Sequence, residues 1–360
     1  METKIGVFCR GAACPRGFKR MNILFHHTAV PVGVRRFDAV VQEIDFLRSH
    51  FPGEMISLRP RLRSIIPFPR FFFGFQSLRW LRRKERAVDF HHVFNPDLYL
   101  FPVLKWLKRP VIYSPVAGLS KTGRPPALSL NRHIDWIVVN SRRDWESLHR
   151  LGFNNLRLIP PGFDRSGFTV SRLPITDRFI LLVGSAPWNV SQFRSKGVDT
   201  LLAAARNVSS LKLVFLWRGY HVEEMEKRIA AAGLTDQVEL INEVVEVNQV
   251  LARVHAAIVL ADRATLVKAY PHSLLESLAA GKPILVSRCI AMAELVEETG
   301  CGLVLNDNVL EDVVQGIQNL RTGYREYQER ALGVGRDRFP LSETLAGYRE
   351  LYAAAKQVRP

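Results

Sequence analysis

Cysteine is scarce in this sequence. Its 360 residues hold four, Cys9, Cys14, Cys289 and Cys301, with no Cys-x-x-Cys pair. A disulfide framework and a thiolate metal site are therefore excluded, and the reduced thiols of a cytoplasmic protein are expected. The sequons at Asn189 and Asn207 then carry no weight. Long apolar runs are missing too. No stretch of about 18 apolar residues is free of charge, which excludes a membrane-spanning helix. The first twenty residues have no apolar block and end in three basic residues, so they do not read as a secretory signal. We read residues 1–20 as a tail, or as sequence ahead of a start at Met21, where a good strand opens. Internal repeats and low-complexity blocks are absent as well.

Acidic residues are short in one half only. Residues 1–165 hold 28 Lys/Arg against 12 Asp/Glu, whereas residues 166–360 hold 22 of each. The whole net charge of +16 belongs to the first half. Such asymmetry suggests that the two halves meet different partners.

What is present is a regular alternation of strands and helices. The length suits two domains of roughly 100–200 residues each. Strands are predicted at 22–27, 54–58, 88–94, 110–116, 135–141 and 156–160, then at 179–184, 212–217, 237–242, 256–261, 283–287 and 302–305. Between the first two, Phe37, Val40, Val41, Ile44 and Leu47 recur at helical spacing over 32–50. Near-continuous apolar strands separated by helices predict parallel sheets covered on both faces. Residues 159–179 carry Pro160, Pro161, Gly162, Gly167 and Pro174 without periodicity and read as a linker. The expectation is α/β: two Rossmann-like domains, 21–165 and 166–340, with the last helix packing as a terminal brace. Ligands of such sheets lie at the carboxyl ends of the strands.

One stretch, KAYPHSLLESLAAGKPILVS at 268–287, carries most of the chemical information. Pro271 and Ser273 suit a helix start, Gly281 its end, and Pro283 opens the next strand. Ser273-Leu-Leu-Glu276 matches a capping box, in which the glutamate reaches back to the cap N–H. The same geometry has a second use. A helix start offers free N–H groups to an anion such as a pyrophosphate. A glutamate one turn in can accept two hydrogen bonds from a ribose diol.

This stretch resembles the donor-site signature of retaining, nucleotide-sugar-dependent GT-B glycosyltransferases, in particular glycosyltransferase family 4. That signature is a glutamate, seven residues, a second glutamate, a helix, then Gly-x-Pro and a strand. Glu276 matches the second glutamate, and Gly281-Lys282-Pro283 matches the Gly-x-Pro. Further segments resemble the same family: VNSRRDWESLHRLGFNNLRLIPPGFD (139–164), LLVGSAPWNVSQFRSKGVDTLLAAA (181–205) and FPLSETLAGYRELY (339–352). Together they cover residues 139–355, while 21–138 match in layout only. The resemblance implies a GT-B architecture with its sheets facing a central cleft, transfer with retention of configuration, and no bound metal or other cofactor.

The resemblance also implies roles. Glu276 would hold the ribose, and Ser273, Leu274 and Leu275 would lie at the donor beside it. Lys196 would neutralise the departing diphosphate. The family has an arginine directly after the Gly184 position; this chain has Ser185, and Arg194 or Arg218 could replace it. The first glutamate of the signature is replaced by Lys268, which could pair with an acidic sugar or a phosphate, or simply be solvated. His272 lies inside the signature, and Val245 lies where the family binds the base. Gly33 follows the first strand, where a missing side chain lets backbone approach a ligand or serves a plain turn. His26, His27, His91 and His92 lie at or near strand ends without metal-ligand support and read as structural.

The segment at 59–86 alternates arginines with Ile, Phe, Leu and Trp, and includes Arg79, Trp80, Arg82, Arg83 and Arg86. Arginines can bind anionic head groups while aromatics enter the interface. Docking to an anionic membrane that carries a lipid-linked acceptor is the expectation. A core helix with a solvated face is the plainer reading, and no nucleic-acid motif accompanies the charge. The resemblance, taken with the charge and the cysteine count, implies a cytoplasmic, peripheral-membrane transferase of polysaccharide biosynthesis. Domain closure about residues 160–178 would exclude water. The rivals are an epimerase or phosphorylase on the same architecture, and an inactive nucleotide-sugar-binding subunit.

Overall fold

The computed structural model describes residues 21–28, 39–60, 69–119, 131–217 and 220–358. Gly33, Arg218, the 1–20 tail and the start of the helix predicted at 32–50 lie outside these residues. In chain order the elements are β1 Ile23–His27, α1 Ala39–His50, β2 Gly53–Ser57, α2 Leu78–Lys84, β3 Phe90–Asn95, β4 Val111–Pro115, β5 Trp136–Val139, α3 Arg142–Arg150 and β6 Leu156–Leu158. They continue as β7 Phe179–Val183, α4 Ser191–Ser195, α5 Val198–Asn207, β8 Leu211–Leu216, α6 Val222–Ala231, β9 Val238–Ile241, α7 Val247–Ala252 and β10 Ala256–Val259. The last are α8 His272–Ala279, β11 Ile284–Ser287, α9 Met292–Thr299, β12 Gly302–Leu305, α10 Leu310–Thr322, α11 Tyr324–Asp337 and α12 Leu341–Val358. All twelve predicted strands form, each within two residues of its predicted ends.

The chain divides into two compact units. One runs to Pro161 and resumes at Ser342; the other is Gly162–Leu341. The first unit holds a six-stranded parallel sheet in the order β2-β1-β3-β4-β5-β6. Its four inner strands, β1, β3, β4 and β5, are wholly buried, as expected where both faces of a parallel sheet are covered, whereas the edge strands β2 and β6 are partly exposed. Ser141 caps α3 by accepting a bond from Asp144 N at 3.1 Å. The last helix packs on this sheet: Tyr352 places its hydroxyl 2.8 Å from His92 Nδ1, and Thr344 Oγ1 donates to Pro160 O at 2.9 Å.

The second unit holds a six-stranded parallel sheet in the order β12-β11-β10-β7-β8-β9. This is the doubly wound order of dinucleotide-binding sheets. Chain direction across the sheet reverses between β7 and β10, which pair from Ala256↔Leu181 to Ile258↔Val183. A crevice therefore opens beyond the carboxyl ends of these two strands. Residues 162–171 are fastened to this unit: Phe163 N donates to Phe339 O at 3.2 Å, and Asn248 Nδ2 to Gly167 O at 2.6 Å. Among the described residues, no helix is long and apolar enough to cross a membrane.

Candidate functional site at the carboxyl ends of β7 and β10

Gly184 follows β7 and meets the first turn of α8. A Cβ on Gly184 would stand 2.3 Å from Ser273 Cβ and 2.6 Å from its Oγ. Only glycine admits the helix this close to the strand end. After Gly184 a loop leads to α4, and Lys196 follows that helix. Gly197, in the left-handed region at φ 67, then starts α5, and a Cβ there would meet Leu260 at 2.6 Å. Asp262 N donates to Ser195 O at 2.9 Å. Strand ends, loop and helix start are thus packed onto one another at the point where the sheet reverses.

The start of α8 differs from the capping box that the sequence allows. Its N-cap is Pro271, with φ −60 and ψ 130, and no side chain caps the helix. Leu274 N and Leu275 N both donate to Pro271 O, at 3.0 and 3.1 Å. The N–H groups of His272 and Ser273 precede this ladder and sit at the positive end of the helix. Ser273 is therefore the second helical residue. Glu276 cannot reach back to a cap N–H, because proline has none. Ser273 O instead accepts from Ser277 Oγ at 2.6 Å. Glu276 lies half-buried one turn into α8. Leu274 and Leu275 turn their side chains into the core, so they carry the helix.

Lys196 is buried, and its ammonium donates to Ala186 O at 3.0 Å. Burial pulls its pKa down to about 8, because a charge removed from water is costly. Arg194 is exposed on α4. Two residues apart on one helical turn, Arg194 and Lys196 leave in different directions. Ser185 is half-buried in the loop between β7 and α4. Lys268 Nζ lies 3.1 Å from His272 Nε2. The ammonium can only donate, so His272 Nε2 is the acceptor. Val245 is half-buried beyond edge strand β9 and packs on the core.

Sequence reasoning missed the supports of this site. Ser287 Oγ accepts from Ala261 N at 3.0 Å and donates to Asn308 Oδ1 at 2.7 Å, tying β10 to β11. Lys282, in the Gly-Lys-Pro turn, is 0% exposed, and its Nζ has no hydrogen-bond partner among the described residues. Burial pulls its pKa to about 8 as well. Nothing in a Gly-x-Pro pattern signals that the middle side chain turns inward.

In the first unit the sheet reverses between β1 and β3, and polar groups gather at their ends. Thr28 Oγ1 bonds Asn95 Oδ1, and Asn95 Nδ2 donates to Asp97 O at 2.6 Å. Arg70 grips Asp97 with two bonds of 2.6 and 2.9 Å and lies 4.4 Å over the Tyr99 ring. His26, His91 and His92 are buried and hydrogen-bonded within this unit. Glu85 Oε1 accepts from Lys108 N at 2.6 Å, Arg109 N at 3.1 Å and His91 Nε2 at 3.1 Å. His91 Nδ1 then accepts from His26 Nε2 at 2.9 Å. Burial alone would raise the Glu85 carboxyl, but these donors hold it below its ordinary value. Burial keeps His26 and His92 neutral. Among the described residues, no three His, Cys, Asp or Glu side chains gather as a metal set.

Comparison with known proteins bears on this geometry. Residues 176–331 match the family model of glycosyl transferases group 1. No curated protein matches the sequence. Among solved structures, HepE of Anabaena, in complex with UDP and glucose, superposes with a TM-score of 0.68 at 15% identity, over 93% of this chain and 100% of that one. A glycosyltransferase of Rickettsia africae ESF-5 gives 0.67 at 15% identity, over 95% and 100%. WaaG, a glycosyltransferase involved in lipopolysaccharide biosynthesis, gives 0.66 at 13% identity, over 93% and 100%. The fold is that of the GT-B glycosyltransferases, and the unit that carries the β7/β10 site is the one that matches the group 1 model.

Proposed function

We propose that this protein is a glycosyltransferase of the family 4 kind. It would move a sugar from a nucleoside diphosphate sugar to a saccharide or lipid-linked acceptor, with retention of configuration. The observation that carries the reading is the junction of β7, β10 and α8, where Gly184 touches the start of α8 and buried Lys196 reaches the Ala186 carbonyl in the loop after β7. The matched family model and the UDP complexes of HepE support it.

The chemistry follows from the residues. A diphosphate at the start of α8 would accept bonds from the N–H groups of His272 and Ser273. Lys196 would exchange the Ala186 carbonyl for a phosphate oxygen. As the bond to the sugar breaks, negative charge grows on the diphosphate, and a fixed cation in a dry site stabilises it most there. Arg194 or Arg218 would add a second cation. Glu276 would accept bonds from both ribose hydroxyls. No step of this scheme calls for a metal ion.

The basic first unit would take the acceptor. Its charge and the polar cluster around Asn95, Asp97 and Arg70 support a saccharide held near an anionic membrane, on its cytoplasmic face, in polysaccharide synthesis. The test is product analysis with a panel of nucleotide sugars and acceptors. A new glycosidic bond with the donor's anomeric configuration supports the reading. Donor turnover without transfer would point to an epimerase or phosphorylase, and nucleotide binding without turnover to a binding subunit.

A further inference from the structure

We propose that the first unit inserts aromatic side chains into an anionic lipid bilayer, through a patch assembled from two separate stretches of chain. The sequence singled out Arg79, Trp80, Arg82, Arg83 and Arg86; the structure adds Phe71, Phe72, Lys105 and Trp106. Phe71 and Phe72 are 54% and 48% exposed, Trp80 38% and Trp106 41%. Phe75 joins the two stretches, its ring centroid 5.0 Å from that of Trp106.

The exposed rings stand on a packed underlayer. Phe73 stacks on Phe101 with centroids 6.0 Å apart and planes 5° from parallel. Gly74 N donates to Leu58 O at 2.8 Å, and a Cβ on Gly74 would meet Val103 at 2.8 Å. The backbone next to Phe71 and Phe72 is therefore held in place. Exposed aromatics gathered in this way mark a docking site.

Exposed cations lie on the same two stretches of chain. Arg79, Arg82, Arg83, Arg86 and Lys105 are exposed, and among the described residues none of them forms an ion pair. Their basic neighbours do: Arg70 with Asp97, and Lys84 with Glu54 at 2.7 Å. Buried Leu81 turns one side of α2 inward, which leaves Arg79, Trp80, Arg82 and Arg83 outside. Exposed arginines on the same stretches as half-exposed aromatic rings fit the lipid boundary, where phosphates meet the guanidinium groups and rings enter the acyl edge. Charge alone would give surface docking; the rings add insertion, and part of the binding then survives salt.

The test uses the full chain with vesicles of phosphatidylcholine, with and without phosphatidylglycerol. Binding is read by sedimentation, and ring depth by quenching of tryptophan fluorescence with brominated lipid. We expect binding to the anionic vesicles about tenfold or more above the neutral ones, with quenching. Trp80→Phe/Trp106→Phe should still bind but lose the quenching. Phe71→Ser/Phe72→Ser should bind about tenfold more weakly at high salt, with an unchanged far-ultraviolet spectrum, because both residues are exposed. Arg79→Gln/Arg82→Gln/Arg83→Gln should lose about fivefold per arginine at low salt. Anionic binding without quenching would overturn the proposal. So would equal binding by the phenylalanine variant, or an RNA or DNA oligonucleotide that displaces the vesicles through the same arginines.

Discussion

Gly184 and Ser273 touch where β7 ends: a Cβ on the glycine would stand 2.3 Å from the Cβ of the serine. The contact sets how far the first turn of α8 reaches over the strand. Gly184→Ala should push the helix start outward and misplace the N–H groups of His272 and Ser273. Affinity for the nucleoside diphosphate should fall by about tenfold or more, since misplaced donors lose most of their charge-assisted bonds. Calorimetry and a thermal melt check this together. A folded variant with unchanged affinity would sink the role given to the contact.

Lys196 predicts a pH signature. With its pKa near 8 in the free protein, it is charged at pH 7 and half neutral at pH 8. A bound diphosphate favours the ammonium and raises that pKa. Binding should therefore take up protons around pH 8, and affinity should fall above it by up to about tenfold per pH unit. Titrations in buffers of different ionisation enthalpy measure the uptake. Lys196→Ala should bind more weakly at pH 7 and lose the pH dependence.

Lys282 is a buried ammonium with no hydrogen-bond partner among the described residues, and it should weaken the second unit. Its folded pKa of about 8 lies below the usual 10.5. The folded state thus binds its proton less tightly than the unfolded chain. The destabilisation is complete below pH 8 and is relieved as pH rises from there towards the usual value. Lys282→Met should stabilise the unit at pH 7 by about 1–3 kcal/mol and flatten the rise between pH 8 and 10. Urea denaturation at several pH values measures both. A destabilised variant would show that the ammonium has an internal partner after all.

The first unit should be acid-sensitive for a related reason. His26 and His92 are held neutral by burial. Their folded pKa values are depressed, so stability is lost as pH falls below the unfolded value of about 6.5, by up to about 1.4 kcal/mol per pH unit for each histidine. His92 bridges the Tyr352 hydroxyl and Ser114 Oγ, each 2.8 Å from a ring nitrogen, and His92→Gln keeps an amide between them but removes the titration. Its acid loss should be visibly smaller than that of the wild type.

Lys268 bears on the sugar. If it reads an acid group, a nucleotide sugar with a carboxylate should bind better than its neutral counterpart. Lys268→Glu should reverse that order by about tenfold and leave the bare nucleotide nearly unaffected. Competition titrations resolve the order. An equal loss for nucleotide and sugar conjugate would place the lysine on the phosphates.

Much of the fold was legible because parallel strands buried on both faces are nearly continuous apolar runs, as FILLV and AAIV show. At the start of α8 the local pattern left two readings open, and the capping box is not the one that forms. Ser273 and Glu276 have capping-box spacing, but Pro271 takes the cap position and offers no N–H for the glutamate to reach. Long-range contacts were out of reach altogether. No local pattern links Gly184 to Ser273, Lys196 to the Ala186 carbonyl, or Phe75 to Trp106. The three-residue chain of Glu85, His91 and His26 was equally hidden, since strand pairing alone sets it. Residue types marked the candidate site; tertiary packing decided which groups are buried and which are bonded.

The central claim is a nucleoside diphosphate site at the β7/β10 junction. Calorimetry with UDP, GDP and ADP and their common sugar conjugates tests it most directly, with wild type beside Glu276→Ala and Lys196→Ala. The account predicts that one nucleotide series binds and that both variants lose about tenfold or more in affinity. No binding at millimolar concentration, or binding untouched by either substitution, would contradict it.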